Sequence, residues 1–168
     1  MAVDLSSHLL EKARGRDLPR DRVRFLETPF EELDNHEPFD AVIGSSVLHH
    51  LDVEPALNKI YLLLKPGGVM SFAEPNMLNP QVFAERTFAF LPFFWYVSPD
   101  ETAFVRHRLR ILLKRIGFKG IEITPFDWLH PFTPRPFINA VSRIGRILEK
   151  IPFLREFSGS LYIRCYRP

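Results

Sequence analysis

Residues 62–76 read LLLKPGGVMSFAEPN, and no other stretch of this 168-residue chain restricts its fold so strongly. An apolar run with helical spacing, through Ala56, Ile60, Leu63 and Leu64, meets Lys65-Pro66-Gly67-Gly68 and has to stop. Proline has no amide hydrogen to give a helix, and Gly67 supplies a left-handed stop. An apolar strand, GVMSFAE, follows at once and closes on an acid and a proline, Glu74-Pro75. Helix, hard break, buried strand and terminal acid are the parts of an α/β unit, in which ligands sit at the carboxyl ends of parallel strands.

The flanking residues extend the alternation. MAVDLSS predicts the end of a strand followed by a helix capped by Ser6 or Ser7, and SHLLEKARGR is a short amphipathic helix. DRVRFLE predicts a strand that alternates Val23 and Phe25 with arginines. PFDAVIGSS is a more continuous apolar strand, of the kind buried on both faces of a parallel sheet. The second half is different. An aromatic-rich segment, broken by Pro80 and Pro92, leads to a helix expected to start after Ser98 with Glu101 in its first turn and to end at Gly117. KGIEITPF and SLYIRCYR predict two strands. Between them Phe137, Val141, Ile144, Leu148 and Ile151 share one helical face, with Arg143, Arg146 and Lys150 elsewhere.

Composition then narrows the class. A chain 46% hydrophobic and 25% charged is globular, and its length is that of one domain, residues 1–168. The single Cys165 excludes an internal disulfide. No basic-then-apolar leader opens the sequence, and no apolar run approaches the ~20 residues of a spanning helix, so a cytoplasmic location is expected. The net charge of +2 hides a division: residues 1–84 hold 8 Lys/Arg against 13 Asp/Glu, and residues 85–168 hold 14 against 7. A basic half suits an anionic membrane surface or substrate, or is a solvated face. Nucleic-acid binding is not expected, because the basic residues are dispersed among apolar ones. No metal is expected either: the histidines lack ligand spacing, and adjacent His49 and His50 should point apart.

VDLSSHLLEKAR, FDAVIGSSVLHHL and LLLKPGGVMSFAEPN, in this order, resemble the class I S-adenosylmethionine-dependent methyltransferases of the broad small-molecule branch, over about the first eighty residues. The ending GFKGIEITPF … SLYIRCYR resembles the antiparallel strand pair that closes that fold. The resemblance implies a Rossmann-like α/β sheet, mostly parallel with an antiparallel last strand. It also implies helical and aromatic cap insertions at about 77–97 and 130–157. The family's first strand and glycine-rich loop have no counterpart upstream of Asp4, which implies a sheet incomplete at its N-terminus and impaired cofactor binding.

By position, the resemblance gives S-adenosylmethionine as cofactor. Asp4 matches the acid that accepts hydrogen bonds from both ribose hydroxyls, and Leu5 the residue that packs on adenine. Asp4 as a cap for the following helix is the alternative. Pro29 stands where an adenine-reading acid is expected, with Glu27 and Glu31 nearby, and Phe30 could offer its backbone amide. Ser45 and Ser46 fall where the family touches the methionine part.

Methyl transfer from a sulfonium is an in-line displacement, so alignment dominates, and a base is needed only where the acceptor must lose a proton. His50 and Glu74 are the first candidates for that base. The alternatives are that His50 orders its loop and that Glu74 ties down the EPN turn. His49, His107 and the pair Asp127 and His130 follow. The six aromatic residues between Phe88 and Val97 and the 137–151 helix suit an apolar or lipid-linked small-molecule acceptor, with peripheral membrane contact, or else core packing. The competing reading of the whole chain is a non-catalytic remnant serving as an interaction module.

Overall fold

The computed structural model describes residues 1–19, 21–33, 37–88, 90, 103–130 and 132–168. The chain divides into two compact units, Met1–Glu37 and Pro38–Pro168. In the first, strand β1 (Ala2–Asp4) leads into helix α1 (Ser7–Arg14) and then strand β2 (Phe25–Glu27). The two strands pair in parallel, Ala2 opposite Phe25 and Asp4 opposite Glu27. Ser6 caps α1 by accepting from the Leu9 amide, as its hydroxyl predicts. Leu10 is the residue the helix buries. Val23, expected in the second strand, lies outside it.

The second unit holds β3 (Phe39–Ser45), α2 (Val53–Leu63), β4 (Leu64–Pro75), α3 (Pro80–Thr87), α4 (Arg106–Ile116) and β5 (Lys119–Phe126). It continues with α5 (Ile138–Leu148), the short α6 (Pro152–Arg155) and β6 (Ser160–Tyr166). Its sheet runs β3-β4-β6-β5. β3 and β4 are parallel, and β6 is antiparallel to both its neighbours. The reversed last strand expected from the sequence is therefore present. The core follows the period of two that strands impose: Met70 and Phe72 from β4 are buried with Leu161, Ile163 and Cys165 from β6. Leu57 and Ile60 of α2 and Leu113 of α4 complete it.

Four local expectations change. Helix α2 ends at Leu63, before the glycines, and Leu64 already belongs to β4. Gly67 does take the left-handed conformation, at φ +81°, but it shapes a turn whose amide donates to the Arg167 carbonyl. Arg167 also supplies the helix cap: its guanidinium donates to the carbonyls of Tyr61, Leu62 and Leu64, which the last turn leaves without partners. Strand β3 is not buried on both faces, since Ile43 is 77% exposed; among the described residues β3 pairs with β4 on one edge only. Pro80 opens α3 instead of breaking a segment, with Asn79 capping the Gln81 and Val82 amides. Phe104 bridges Asn76, so α4 begins at Arg106; the expected cap at Ser98–Glu101 lies outside the described residues, as do residues 91–97 of the aromatic segment.

Cys165 shows how closed this core is. Burial pushes its thiol up from 9.0 to about 12. The native chain is therefore expected to resist iodoacetamide near pH 9, whereas the unfolded chain reacts readily. The folded state keeps a proton the unfolded state gives up, so this thiol lowers stability as pH rises from about 9 towards 12 and has no such effect below. Equal alkylation rates for native and denatured protein would contradict the burial.

Candidate functional site

The expected site residues fall at the carboxyl edges of the parallel strands, in two groups, one per unit. In the first unit Asp4 ends β1 beside Glu27 at the end of β2. One Asp4 oxygen accepts from the Ser6 amide at 2.8 Å; the other has no hydrogen bond among the described residues. The helix cap is Ser6, so the capping alternative for Asp4 gives way to a turn that orients its carboxylate. Leu5 follows, 68% exposed. Phe30 opens the single turn Phe30–Glu32 directly after Pro29 and is half-buried.

In the second unit β3 ends on Ser45, opposite Ala73 in β4. Ser46 adopts the left-handed region at φ 52°, an unusual conformation for a residue with a side chain, and its amide donates to the Ala73 carbonyl. The chain thereby turns sharply off the strand into the Leu48–His50 turn. Just before this turn Gly44 lies opposite Phe72, where a Cβ would stand 2.3 Å from the Phe72 ring. Only glycine admits that ring.

Glu74 reaches under the same loop from the end of β4. Its Oε1 accepts from the amides of Val47 (3.1 Å) and Leu48 (3.0 Å), and its Oε2 lies 2.9 Å from His49 Nδ1. The carboxylate is 1% exposed and His49 is buried with it. A buried carboxylate is tolerable only with such partners, and here both oxygens hold the loop. This geometry suits a positioning group. His50 is exposed, and its ring stands 4.0 Å from that of His49, so the two imidazoles do not point apart as expected. Glu74, His49 and His50 thus form a series from the sheet to the surface, beside Ser45 and Ser46.

The remaining sequence candidates lie elsewhere. His107 is exposed on α4. Asp127 and His130 do not pair: Asp127, at φ 64°, folds its carboxylate back onto the Leu129 amide, while His130 Nε2 lies 3.0 Å from Glu85 Oε1 on α3. Among the described residues no cluster of three or more His, Cys, Asp or Glu side chains could hold a metal ion. Sequence reasoning missed Asn76, which is fully buried and donates from Nδ2 to the carbonyls of Glu156 and Ser158. The signal was there, since residues 70, 72, 74 and 76 share one strand face and a polar residue on a buried face must be bonded.

The strand order β3-β4-β6-β5 with β6 reversed, and site residues on the carboxyl edge of β3 and β4, can be set beside known proteins. Residues 1–70 match a family described as a methyltransferase domain. A structure of a SAM-dependent methyltransferase from Thermotoga maritima, described as a possible histamine N-methyltransferase, superposes with a TM-score of 0.69. It is 18% identical, over 99% of this chain and 72% of that one. The chain has the class I S-adenosylmethionine-dependent methyltransferase fold. Two curated relatives are more similar in sequence over shorter spans. An uncharacterized methyltransferase of Mycobacterium tuberculosis is 34% identical over 84 residues, 46% of this chain and 42% of that protein. A probable polyketide synthase of Dictyostelium discoideum is 30% identical over 108 residues, 58% of this chain and 4% of that protein. The chain thus spans less than half the length of either. On the methyltransferase fold, Asp4 and Leu5 precede the helix after one strand, Ser45 and Ser46 end another, and Glu74 ends the next.

Proposed function

We propose that this chain binds S-adenosylmethionine and transfers its methyl group to an apolar or lipid-like small-molecule acceptor. The observation that carries the reading is Asp4: a carboxylate at the carboxyl end of a parallel strand, oriented by Ser6, with one oxygen left over. That carboxylate fits a ribose, whose neighbouring hydroxyls can donate to the free oxygen and to the remaining lone pair of the engaged one. Leu5 offers an exposed apolar face to an adenine, and the Ser45–Ser46 turn offers hydroxyls to the amino-acid portion. S-adenosylmethionine supplies a methyl group on a positively charged sulfur, which an acceptor lone pair attacks as the carbon–sulfur bond breaks and leaves its electrons on sulfur.

The chain's own part is to hold and orient. Glu74 and His49 fix the 46–50 turn, and His50 is the group at its surface that can take a proton from an acceptor hydroxyl or amine. Glu74, with both oxygens engaged, positions the turn. Two features support the apolar acceptor class: the aromatic residues between 88 and 97, and the relative named a polyketide synthase.

The informative quantity is the ratio of two affinities. Asp4→Ala should raise the dissociation constant for S-adenosylmethionine roughly tenfold to a hundredfold, the loss of a hydrogen bond to a charged group. Isothermal titration of both forms measures it. Saturable binding that Asp4→Ala leaves unchanged would overturn the reading.

A further inference from the structure

Helix α5 presents three faces. Gly145 is buried with the Trp128 side chain against it, a Cβ there would lie 3.0 Å from Trp128 Cβ, and Glu149 next to it accepts from the Asp127 amide. This is the packed side. At about 3.6 residues per turn, Ile144 and Ile147 fall on a second stripe, in phase with Phe137 before the helix and Ile151 after it. Ile144 and Ile147 are 56% and 57% exposed, and Phe137, Ile151 and Phe153 are exposed with them. Arg143, Arg146 and Lys150 form the third stripe, all exposed, and they make no ion pair among the described residues. Of the stripe read as either packed or membrane-facing, Phe137, Ile144 and Ile151 are exposed and Val141 and Leu148 half-buried, with a row of cations along one border.

We infer that this face docks on an anionic lipid bilayer. The chemistry favours that occupant. Isoleucine and phenylalanine side chains gain by leaving water for the acyl boundary, while the adjacent cations meet lipid headgroups of opposite charge. Two copies of this chain meeting here would set Arg143, Arg146 and Lys150 against one another. A peptide would need a groove, whereas these side chains stand on the convex side of a helix. The inference goes beyond the methyl-transfer reading and does not depend on it.

Co-sedimentation of the whole chain with phosphatidylcholine vesicles, with and without phosphatidylglycerol, tests this. Binding should require phosphatidylglycerol and weaken as salt screens the cations. Arg143→Gln, Arg146→Gln and Lys150→Gln should each lower partitioning roughly fivefold. Ile144→Ser with Ile147→Ser should lower it tenfold or more, at a nearly unchanged unfolding midpoint because both side chains are more than half exposed. A chain that never sediments at low salt overturns the inference. So does binding that ignores phosphatidylglycerol or the charge variants. Self-association abolished by the isoleucine variant, without vesicle binding, would assign the face to a second copy and overturn it as well.

Discussion

Replacing Glu74 with alanine is expected to cost about 3–5 kcal/mol of stability, the largest effect of any single substitution proposed for this chain. The alanine would leave the Val47 and Leu48 amides and His49 Nδ1 without their acceptor, at a position only 1% exposed. Each group was taken out of water on the condition that the carboxylate met it. Glu74→Gln separates shape from charge. Its amide oxygen can still accept from Val47 and Leu48, and its NH2 can donate to His49 in the other tautomer, so about 1–2 kcal/mol is expected. Urea denaturation reads both values. A cost for the alanine within about 0.5 kcal/mol of zero would mean that the loop does not depend on the acid.

The second large effect is expected at Asn76. Its amide group donates to the Glu156 and Ser158 carbonyls, at 2.9 and 2.7 Å, and its Oδ1 accepts from the Leu78 amide. Asn79 adds a bond to the Phe157 carbonyl, so one turn holds the segment that leads into β6. Asn76→Ala should cost about 2–4 kcal/mol, because the buried Ser158 carbonyl and the part-buried Glu156 carbonyl both lose their donor. Asn76→Asp should be worse above neutral pH, where a carboxylate would face those carbonyls. A shifted urea midpoint at unchanged slope is the expected signature. An alanine variant as stable as the parent would mean that water or backbone shifts satisfy the carbonyls.

What the sequence disclosed was the part of the fold that local rules govern. Ser6 as a cap, the strands on either side of KPGG, and the two closing strands each follow from a residue acting on its near neighbours. What it hid depends on residues far apart. Arg167 caps a helix about a hundred positions earlier, His130 pairs with Glu85 and not with the nearby Asp127, and Gly145 of α5 packs against Trp128. The site divided in the same way. Strand ends placed Asp4, Ser45, Ser46 and Glu74 on carboxyl edges. Whether a carboxylate there would be open, as at Asp4, or engaged, as at Glu74, depended on which amides the loops aimed at it. No spacing rule contains that information.

The place of β6 in the sheet carries a consequence for how this molecule comes into being. β4 and β5 are not bonded to each other; β6 lies between them and bonds to both. A nascent chain that has made residues 38–159 can assemble the β3–β4 pair, yet it must leave one edge of β4 and one of β5 unpaired. Those edges are templates for intermolecular strand pairing until residues 160–166 arrive. The interval before β6 joins β4 to β5 is when a chaperone would have most to protect.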